Sequence, residues 1–433
     1  MLSLTNRNFI QRCIAPDCGA EFDLDARLFV CSRCGGLLDI ERREKIDSAP
    51  LRDLWLQRRA SFDPRDRSGV WRFREFLPFT EDVHVVSLGE GNTPLYDAPR
   101  SADYCRLPQL KLKHQGCNPT GSFKDTGMTV GVTQARKLGA RLVVCASTGN
   151  TAASLAAYAA RADLLCAIIV PSGHVSHAKL AQALDYGAKV FEVDGNFDTC
   201  MDQIRELAED ESVYLVNSIN PFRIEGQKTV AFELCEQLEW RVPDHLVVPG
   251  GNLGNSSAFG KGFRELFESG LIERQPRITV VQAEGAAPFA KFFSDFQQER
   301  LVKEDDPQTL ASAIKIGAPV SWPKAARAVQ ETGGSVITVT EQEIADAKAI
   351  IGRDGIGCEP ASATTVAGIR KVKINENESV VAVLTGHLLK DTDYVMNYHS
   401  QNLIAPDGKH LDGTFANVPI RIQSVKSVAD LLR

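Results

Sequence analysis

Short apolar runs that alternate with longer helical segments constrain the fold of this chain more than any other feature. Eight such runs fall into two successive series, at 142–146, 164–170, 189–193 and 213–216, and then at 246–248, 278–281, 336–339 and 380–384. Strands that alternate with helices predict parallel sheets with helices on both faces. A length of 433 residues is too great for one ordinary core. The sequence therefore predicts an α/β protein with two doubly wound open-sheet units.

Four cysteines near the N-terminus predict a separate small head. Cys13, Cys18, Cys31 and Cys34 have the spacing C-x4-C-x12-C-x2-C. Glycines after Cys18 and Cys34 let backbone amides turn back towards the sulfurs, so the two pairs can converge on one tetrahedral ion. We expect a zinc-ribbon-like head over 1–44, with a structural zinc because four thiolates leave no open position for catalysis. Four free structural thiols are the alternative.

Charge and hydropathy argue against two classes of partner. A formal net charge of -6 without a long run of one sign argues against nucleic acid. The most apolar region, 151–170, is interrupted by Arg161 and Asp163, which favours a helix and a strand over a membrane span. Residues 1–13 lack the apolar core of a targeting segment, and eleven cysteines, an odd number, suit a reducing compartment. We therefore expect a cytoplasmic protein.

The stretch N-P-T-G-S-F-K-D at 118–125 predicts a turn that leads into a helix. Ser122 and Asp125 are candidate caps, and the apolar residues along 126–138 fit one buried helix face. Lys124 would then lie at a loop-to-helix junction beside Phe123. Partial desolvation there lowers the pKa of the amine and makes it a nucleophile for an aldehyde. An ordinary solvated lysine is the alternative.

Three further loops follow predicted strands, which is where α/β sheets bind ligands. The glycine-rich loop 250–255 has the form of a phosphate site, although an ordinary connection would look the same. Small polar side chains at 147–151 suit a carboxylate, or plain helix capping. Thr385 places a hydroxyl after the last strand. A reactive lysine, a phosphate cup and a strand-end hydroxyl together indicate pyridoxal phosphate.

Six segments resemble the threonine synthases, which belong to the tryptophan-synthase-β-like group of pyridoxal-phosphate enzymes: 118–125, 146–154, 217–229, 250–255, 357–363 and 385–391. The motifs S-F-K-D and S-T-G-N-T are shared with threonine dehydratases. More particular to threonine synthases are N-S-I-N-P-F-R-I-E-G-Q-K from Asn217, C-E-P-A-S-A from Cys358 and T-G-H-x-L-K from Thr385. The resemblance covers roughly residues 85–395.

The resemblance implies roles for residues around the cofactor. Lys124 would form a Schiff base with it and, once freed by substrate, move substrate protons. Thr385 would face the pyridine nitrogen, and a hydroxyl does not force that nitrogen to stay protonated. Asn150 would bond the 3'-oxygen, and Phe123 would pack by the ring. The residues implied to hold the cofactor phosphate are Gly250, Gly251, Asn252, Leu253, Gly254 and Asn255.

The substrate site is implied in the same way. The residues implied to contact the substrate carboxylate are Ser147, Thr148 and Thr151, of which Thr151 is also a candidate for the phosphate. Those implied to contact the substrate phosphate are Asn217, Ser218, Arg223 and Asn252. Arg223 is expected to select phosphorylated substrates because a guanidinium matches the geometry of a phosphate. An ion pair with Glu225 or Asp185 is the alternative for Arg223.

The resemblance implies fold type II of the pyridoxal-phosphate enzymes and a homodimer. The large cofactor-anchoring domain would comprise 45–112 and 225–433, and the smaller domain 113–224. The implied reaction converts O-phospho-L-homoserine and water to L-threonine and phosphate, by removal of the γ-phosphate and addition of water at Cβ. The alternatives are a cysteate-synthase-like replacement on O-phosphoserine, a threonine or serine dehydratase, and a zinc-binding regulator that kept the fold without catalysis.

Overall fold

The computed structural model describes residues 8–173, 177–195, 197–295 and 300–422. The expectation about a targeting segment concerns in part residues 1–7, which lie outside these ranges. The strands are β1 (Phe9–Cys13), β2 (Glu21–Phe22), β3 (Leu38–Arg42), β4 (Leu95–Asp97), β5 (Leu110–His114), β6 (Leu142–Ala146), β7 (Leu165–Pro171), β8 (Lys189–Val193), β9 (Val213–Leu215), β10 (His245–Pro249), β11 (Arg277–Ala283), β12 (Ser335–Val339) and β13 (Val380–Leu384). All eight predicted runs are strands, with ends within two residues of the prediction.

The α-helices are α1 (Leu51–Arg59), α2 (Pro64–Arg67), α3 (Pro99–Cys105), α4 (Lys124–Lys137), α5 (Asn150–Ala162), α6 (His177–Asp185), α7 (Phe197–Leu207), α8 (Pro221–Gln237), α9 (Gly254–Glu268), α10 (Pro288–Ser294), α11 (Trp322–Glu331), α12 (Glu341–Arg353), α13 (Pro360–Ile369) and α14 (Thr392–His399). Most of them fall between the strands of the two predicted series. Within the ranges above, no helix combines the length and the apolar character that crossing a membrane requires.

The larger sheet has the strand order β12-β11-β10-β13-β5-β4, and its strands are parallel except for β4. Side chains alternate between its faces, as they must in a strand. Leu246 and Val248 pack with α8, α9 and α11, whereas Val247 packs with α12 and α13. Both faces are covered, as the doubly wound prediction requires. Because β5 spans Leu110–His114, the expected domain boundary between 112 and 113 falls inside a strand of this sheet.

The smaller sheet has the order β8-β7-β6-β9 and is parallel throughout. Val143 and Cys145 pack against α4 and α5 on one face, and Val144 packs against α7 on the other. Helices again cover both faces. The carboxyl ends of its strands carry the loops at 147–151 and 217–218, so the fold brings these segments to one edge.

An antiparallel ribbon of order β2-β1-β3 forms the N-terminal head. The sulfur atoms of its four cysteines all lie within 4.8 Å of one another, with 3.4 Å between Cys13 and Cys34 and 3.7 Å between Cys18 and Cys31. The head is fixed to the rest of the chain through Asp39 on β3. Its Oδ1 lies 3.0 Å from the amine of Lys261 on α9.

Candidate active site

The loops that follow the strands of both sheets meet at one cavity of about 580 Å³, called here the central cavity. Its lining includes Lys124, the segment 147–151, the segment 251–255 and Thr385. These are the segments that the sequence singled out, and they come from elements far apart in the chain. The fold therefore brings the predicted lysine, the glycine-rich loop and the strand-end hydroxyl together.

Backbone hydrogen bonds to the loop after β13 hold Lys124 in place. The amide of Phe123 donates to the carbonyl of Thr385 at 2.9 Å, and the amide of His387 donates to that of Gly121 at 2.9 Å. The capping prediction was wrong for Asp125. The N-cap of α4 is Phe123 with no side-chain cap, and the carboxylate of Asp125 accepts from the amide of Thr120 at 2.7 Å. Ser122 Oγ does accept from the amide of Lys124, the first residue of the helix, at 3.4 Å.

The amine of Lys124 has a lowered pKa, so it can lose its proton near neutral pH. Burial, and then the positive charge of Arg223, lower its pKa to about 7, whereas the carboxyl of Glu359 opposes this change. The amine also lies over the ring of Phe123, 4.1 Å from the centroid. The alternative of a solvated surface lysine is therefore wrong.

Arg223 is buried next to this lysine but does not line the central cavity. Its guanidinium donates to the carbonyl of Val216 at 3.4 Å, and its Nε has no partner among the described residues. The ion pair considered for it is not formed, because Glu225 is engaged by Lys228 and Lys261, each at 2.6 Å. A buried cation without a carboxylate is costly, so this position favours the approach of an anion.

The glycine-rich loop between β10 and α9 forms one wall of the central cavity. Residues 251–255 line it, and α9 begins at Gly254, so the first amides of the helix have no carbonyl partner within the helix. Asn255 is 4% exposed, and both polar atoms of its side chain lack a partner in the part of the chain described. Gly250 differs from the expectation, since its amide donates to the carbonyl of Val281 at 2.7 Å and the residue does not line the cavity.

The loop at 147–151 presents its hydroxyls to the central cavity. Helix α5 has Gly149 as its N-cap with no side-chain cap, so plain capping does not account for this segment. Ser147, Thr148 and Thr151 all line the cavity. Asn217 and Ser218 line it as well, and the side-chain oxygen of Asn217 also accepts from the amide of Ala146 at 3.0 Å.

Glu359 is a site residue that the sequence analysis noted only as part of a motif. Its carboxyl accepts from Asn150 Nδ2 at 3.0 Å and from Thr385 Oγ1 at 3.0 Å. Burial raises its pKa. A local signal was available: Glu359 directly precedes Pro360 and is the N-cap of α13, a place where Ser, Thr, Asp or Asn is preferred. Its side chain does not cap the helix.

Lys390 also enters the central cavity and was not predicted. Its amine donates to Gln182 Oε1 at 2.5 Å, and Gln182 Nε2 donates to the carbonyl of Thr120 at 3.1 Å. This chain of bonds connects α6 with the loop after β13. Both Gln182 and Lys390 line the cavity, and Thr120 belongs to the segment that carries Lys124.

Comparisons with known families, sequences and structures found similar proteins. A family model described as pyridoxal-phosphate dependent enzyme matches residues 86–386. A threonine synthase from Methanocaldococcus jannaschii is 46% identical over 394 residues, which cover 89% of this chain and 93% of that protein. A threonine synthase from Methanosarcina acetivorans is 44% identical over the same length. The crystal structure of threonine synthase from Escherichia coli matches with a TM-score of 0.67 over 89% of this chain and 90% of that one, at 17% identity, and so shares the fold.

Proposed function

The chain belongs to the pyridoxal-phosphate dependent enzymes and, within them, to the threonine synthases, and we propose how its residues carry that activity. The reaction converts O-phospho-L-homoserine and water to L-threonine and phosphate. Pyridoxal phosphate, when bound, supplies an aldehyde and an electron-accepting ring. The observation that carries the assignment is the amine of Lys124, which has a pKa of about 7 and faces the cavity where the strand-end loops meet.

The residues of the central cavity fit this cofactor. Lys124 is the covalent attachment point, because an amine is nucleophilic only without its proton. The amides of 251–255 form the phosphate cup, in which the unpartnered side chain of Asn255 finds an anion to bond. Asn150 and Thr385 are assigned to opposite edges of the ring, and Phe123 packs beside it.

The substrate occupies the opposite part of the cavity. Ser147, Thr148 and Thr151 bind its carboxylate with their hydroxyls and the first amides of α5. Asn217, Ser218 and Asn252 line the part of the cavity where the phosphate is expected, and the buried charge of Arg223 lies outside the lining. The freed amine of Lys124 takes and returns the substrate protons. A phosphorylated amino acid is favoured because the phosphate provides the anion that Arg223 lacks.

Release of phosphate from O-phosphohomoserine tests the function directly. The purified protein with pyridoxal phosphate should form threonine and phosphate in equal amounts. Lys124→Ala should lose both the turnover and the visible absorption of the lysine-bound cofactor. If only O-phosphoserine with sulfite reacts, or if only threonine is deaminated, the assignment is wrong.

We also infer that the head binds one structural zinc ion. Tetrahedral zinc with thiolates at about 2.3 Å places the sulfurs about 3.8 Å apart, and the Cys13–Cys34 and Cys18–Cys31 distances of 3.4 and 3.7 Å are close to this. Freshly purified protein should contain one zinc per chain, and Cys31→Ser should lose it. Cys117→Ser, which changes an exposed cysteine outside the head, should keep it. Equal metal content in all three proteins would refute the site.

We propose further that the protein is a cytoplasmic homodimer. All eleven cysteines are free, which suits a reducing compartment, and the homodimer is carried over from the family resemblance. The molar mass in solution tests the second statement, since the chain alone has a mass of 47.3 kDa. A mass near that of one chain at micromolar concentration would exclude the dimer.

A further inference from the structure

The carboxyl of Glu359 joins the two residues assigned to opposite edges of the cofactor ring. It bonds Asn150 Nδ2 through one oxygen and Thr385 Oγ1 through the other, each at 3.0 Å. Glu359 is 1% exposed. Gly386 leaves the room it needs, because a Cβ at that position would lie 2.3 Å from the carboxyl carbon. The carboxyl is thus held at the ring site.

The direction of the hydrogen bond at Thr385 follows from counting donors and acceptors. Ser362 Oγ accepts from the amides of Thr385 and Gly386, at 2.8 and 3.1 Å. The one hydrogen of Ser362 is then left for Thr385 Oγ1, which lies 3.1 Å away. Thr385 must therefore give its own hydrogen to Glu359. A hydroxyl has one donor and two acceptor positions, so what Thr385 still offers to the central cavity is a lone pair.

We propose that Glu359 acts through Thr385 as a positioning residue that keeps the ring nitrogen of the bound cofactor protonated. The inference rests on the proposed function, since it needs Thr385 to face that nitrogen. A lone pair can only accept, so the ring nitrogen must bring a hydrogen of its own. The positive charge on the ring nitrogen is balanced by the ionised carboxylate of Glu359. The expectation that a hydroxyl leaves the nitrogen free holds for Thr385 alone and changes when Glu359 is included.

Without the cofactor, the surroundings of Glu359 raise its pKa, so its ionised form depends on the cation across Thr385. Burial, helped by the charge of Asp391, raises the pKa of Glu359, whereas its bonds to Asn150 and Thr385 and the charge of Lys124 lower it. Lys390 is a further cation that faces the carboxyl. A cation on the far side of Thr385 favours the ionised form of Glu359. Ionisation of the carboxyl and protonation of the ring nitrogen therefore stabilise each other in this buried place.

The nitrogen-15 chemical shift of ring-labelled pyridoxal phosphate bound to the protein tests the proposal without a measurement of turnover. In the wild type, the shift should be that of a protonated pyridine nitrogen. Glu359→Gln keeps the shape, but its amide nitrogen donates to Thr385, so the hydroxyl hydrogen is released towards the ring. We expect the nitrogen in Glu359→Gln to be unprotonated.

Two variants at Thr385 provide an independent test if Glu359→Gln folds poorly. Thr385→Ser retains the hydroxyl and should keep the wild-type shift, whereas Thr385→Val removes it and should give the unprotonated shift. The same shift in the wild type, Glu359→Gln and Thr385→Val overturns the inference, as does an unprotonated nitrogen in the wild type. A wild type without the visible band of the lysine-bound cofactor overturns the proposed function as well, so the two failures are distinguishable.

Discussion

The guanidinium of Arg223 acts on the neighbouring amine through charge alone. Burial lowers the pKa of Arg223 only to about 10, so it remains a cation near neutral pH. Its charge is the second cause, after burial, of the lowered pKa of Lys124. No hydrogen bond joins the two side chains in the described structure. Arg223 therefore favours the nucleophilic form of Lys124 even before a substrate is present.

Removal of this charge should slow cofactor attachment near neutral pH. Arg223→Met keeps the bulk but not the charge, so the pKa of Lys124 rises and less neutral amine is present at pH 7. We expect the rate of pyridoxal-phosphate incorporation into the apoprotein to fall severalfold at pH 7. The difference should disappear at high pH, where the amine is neutral in both proteins. Absorbance after mixing, followed across pH, measures this.

Arg223→Lys is the matched control, because it keeps a positive charge at the same place. Its incorporation rate should follow the wild-type pH profile, even though a lysine replaces the forked geometry of the guanidinium poorly. Identical profiles for Arg223→Met and Arg223→Lys would show that the charge of Arg223 does not control Lys124.

Sequence patterns predicted the residues whose position depends on a local motif. Lys124 follows directly from its turn, and Thr385 from the end of an apolar run. Glu359 was missed as a site residue because its contacts come from Asn150 and Thr385, which lie 209 and 26 residues away in the chain. The separation of Arg223 from the cavity was missed for the same reason. Burial of a side chain depends on packing between elements, which no local pattern records.

At the level of single elements, the strands were predictable and the contacts at the start of α4 were only partly so. Continuous apolar runs identify buried parallel strands, as at β6 and β10. The residue before α4 is held by the backbone bond from the amide of Phe123 to the carbonyl of Thr385. A bond to a distant loop has no signature in the local sequence, whereas the bond from the amide of Lys124 to Ser122 Oγ is local and was predictable.

The conformation of the loop after β13 depends on the absence of a side chain at Gly386. A Cβ there would meet the carboxyl of Glu359 at 2.3 to 2.5 Å. Gly386→Ala should therefore displace the carboxyl or the loop that holds Phe123. We expect the free energy of unfolding to fall by about 1–3 kcal/mol, as for other overpacked sites, together with weaker pyridoxal-phosphate binding. Denaturant unfolding and cofactor titration measure the two effects.

Gly352→Ala provides the control for this change. Gly352 lies inside α12, and a Cβ there would meet no atom within 4 Å. Alanine at an exposed helical position should raise the free energy of unfolding by about 0.5–1 kcal/mol, with cofactor affinity unchanged. Equal effects of the two substitutions would mean that Glu359 moves aside without cost.

For the whole molecule, the sequence predicted the presence of the strands better than it predicted their order in the sheets. Two successive series of runs correctly predicted two sheets. However, β5 joins the larger sheet next to β13, and β4 adds an antiparallel edge strand that was not among the predicted runs. The first pairing joins Leu110 to Val380, 270 residues further along the chain, whereas the second joins Leu95 to Lys113, 18 residues further along. Alternation along the chain predicts that sheets form, but it does not fix which strand pairs with which.

The contact between the head and the larger sheet is a second feature of the whole molecule. Asp39 is 5% exposed and lies among Lys261, Lys324 and Arg264. Although burial alone would raise its pKa, these cations hold the pKa well below its usual range. A carboxyl with a lowered pKa stabilises the fold fully above the pKa of the unfolded chain, about 4. That contribution is lost as the pH falls below this value.

Asp39→Asn should consequently be one of the more damaging conservative changes in the chain. It removes the carboxylate that Lys324 pairs with, whereas Lys261 keeps Glu225 and Arg264 keeps Glu331. Breaking a buried pair costs about 3–5 kcal/mol. Asp97→Asn is the control, because the Asp97–Lys111 pair is exposed and such pairs contribute about 0–1 kcal/mol. Denaturant unfolding at neutral pH should separate the two variants clearly. The difference between Asp39→Asn and the wild type should shrink as the pH is lowered below about 4, since the carboxyl in the unfolded wild-type chain then takes up a proton while the folded one stays ionised. A difference that is small at neutral pH would mean that the apolar contacts of the head, and not this ion pair, fix it to the larger sheet.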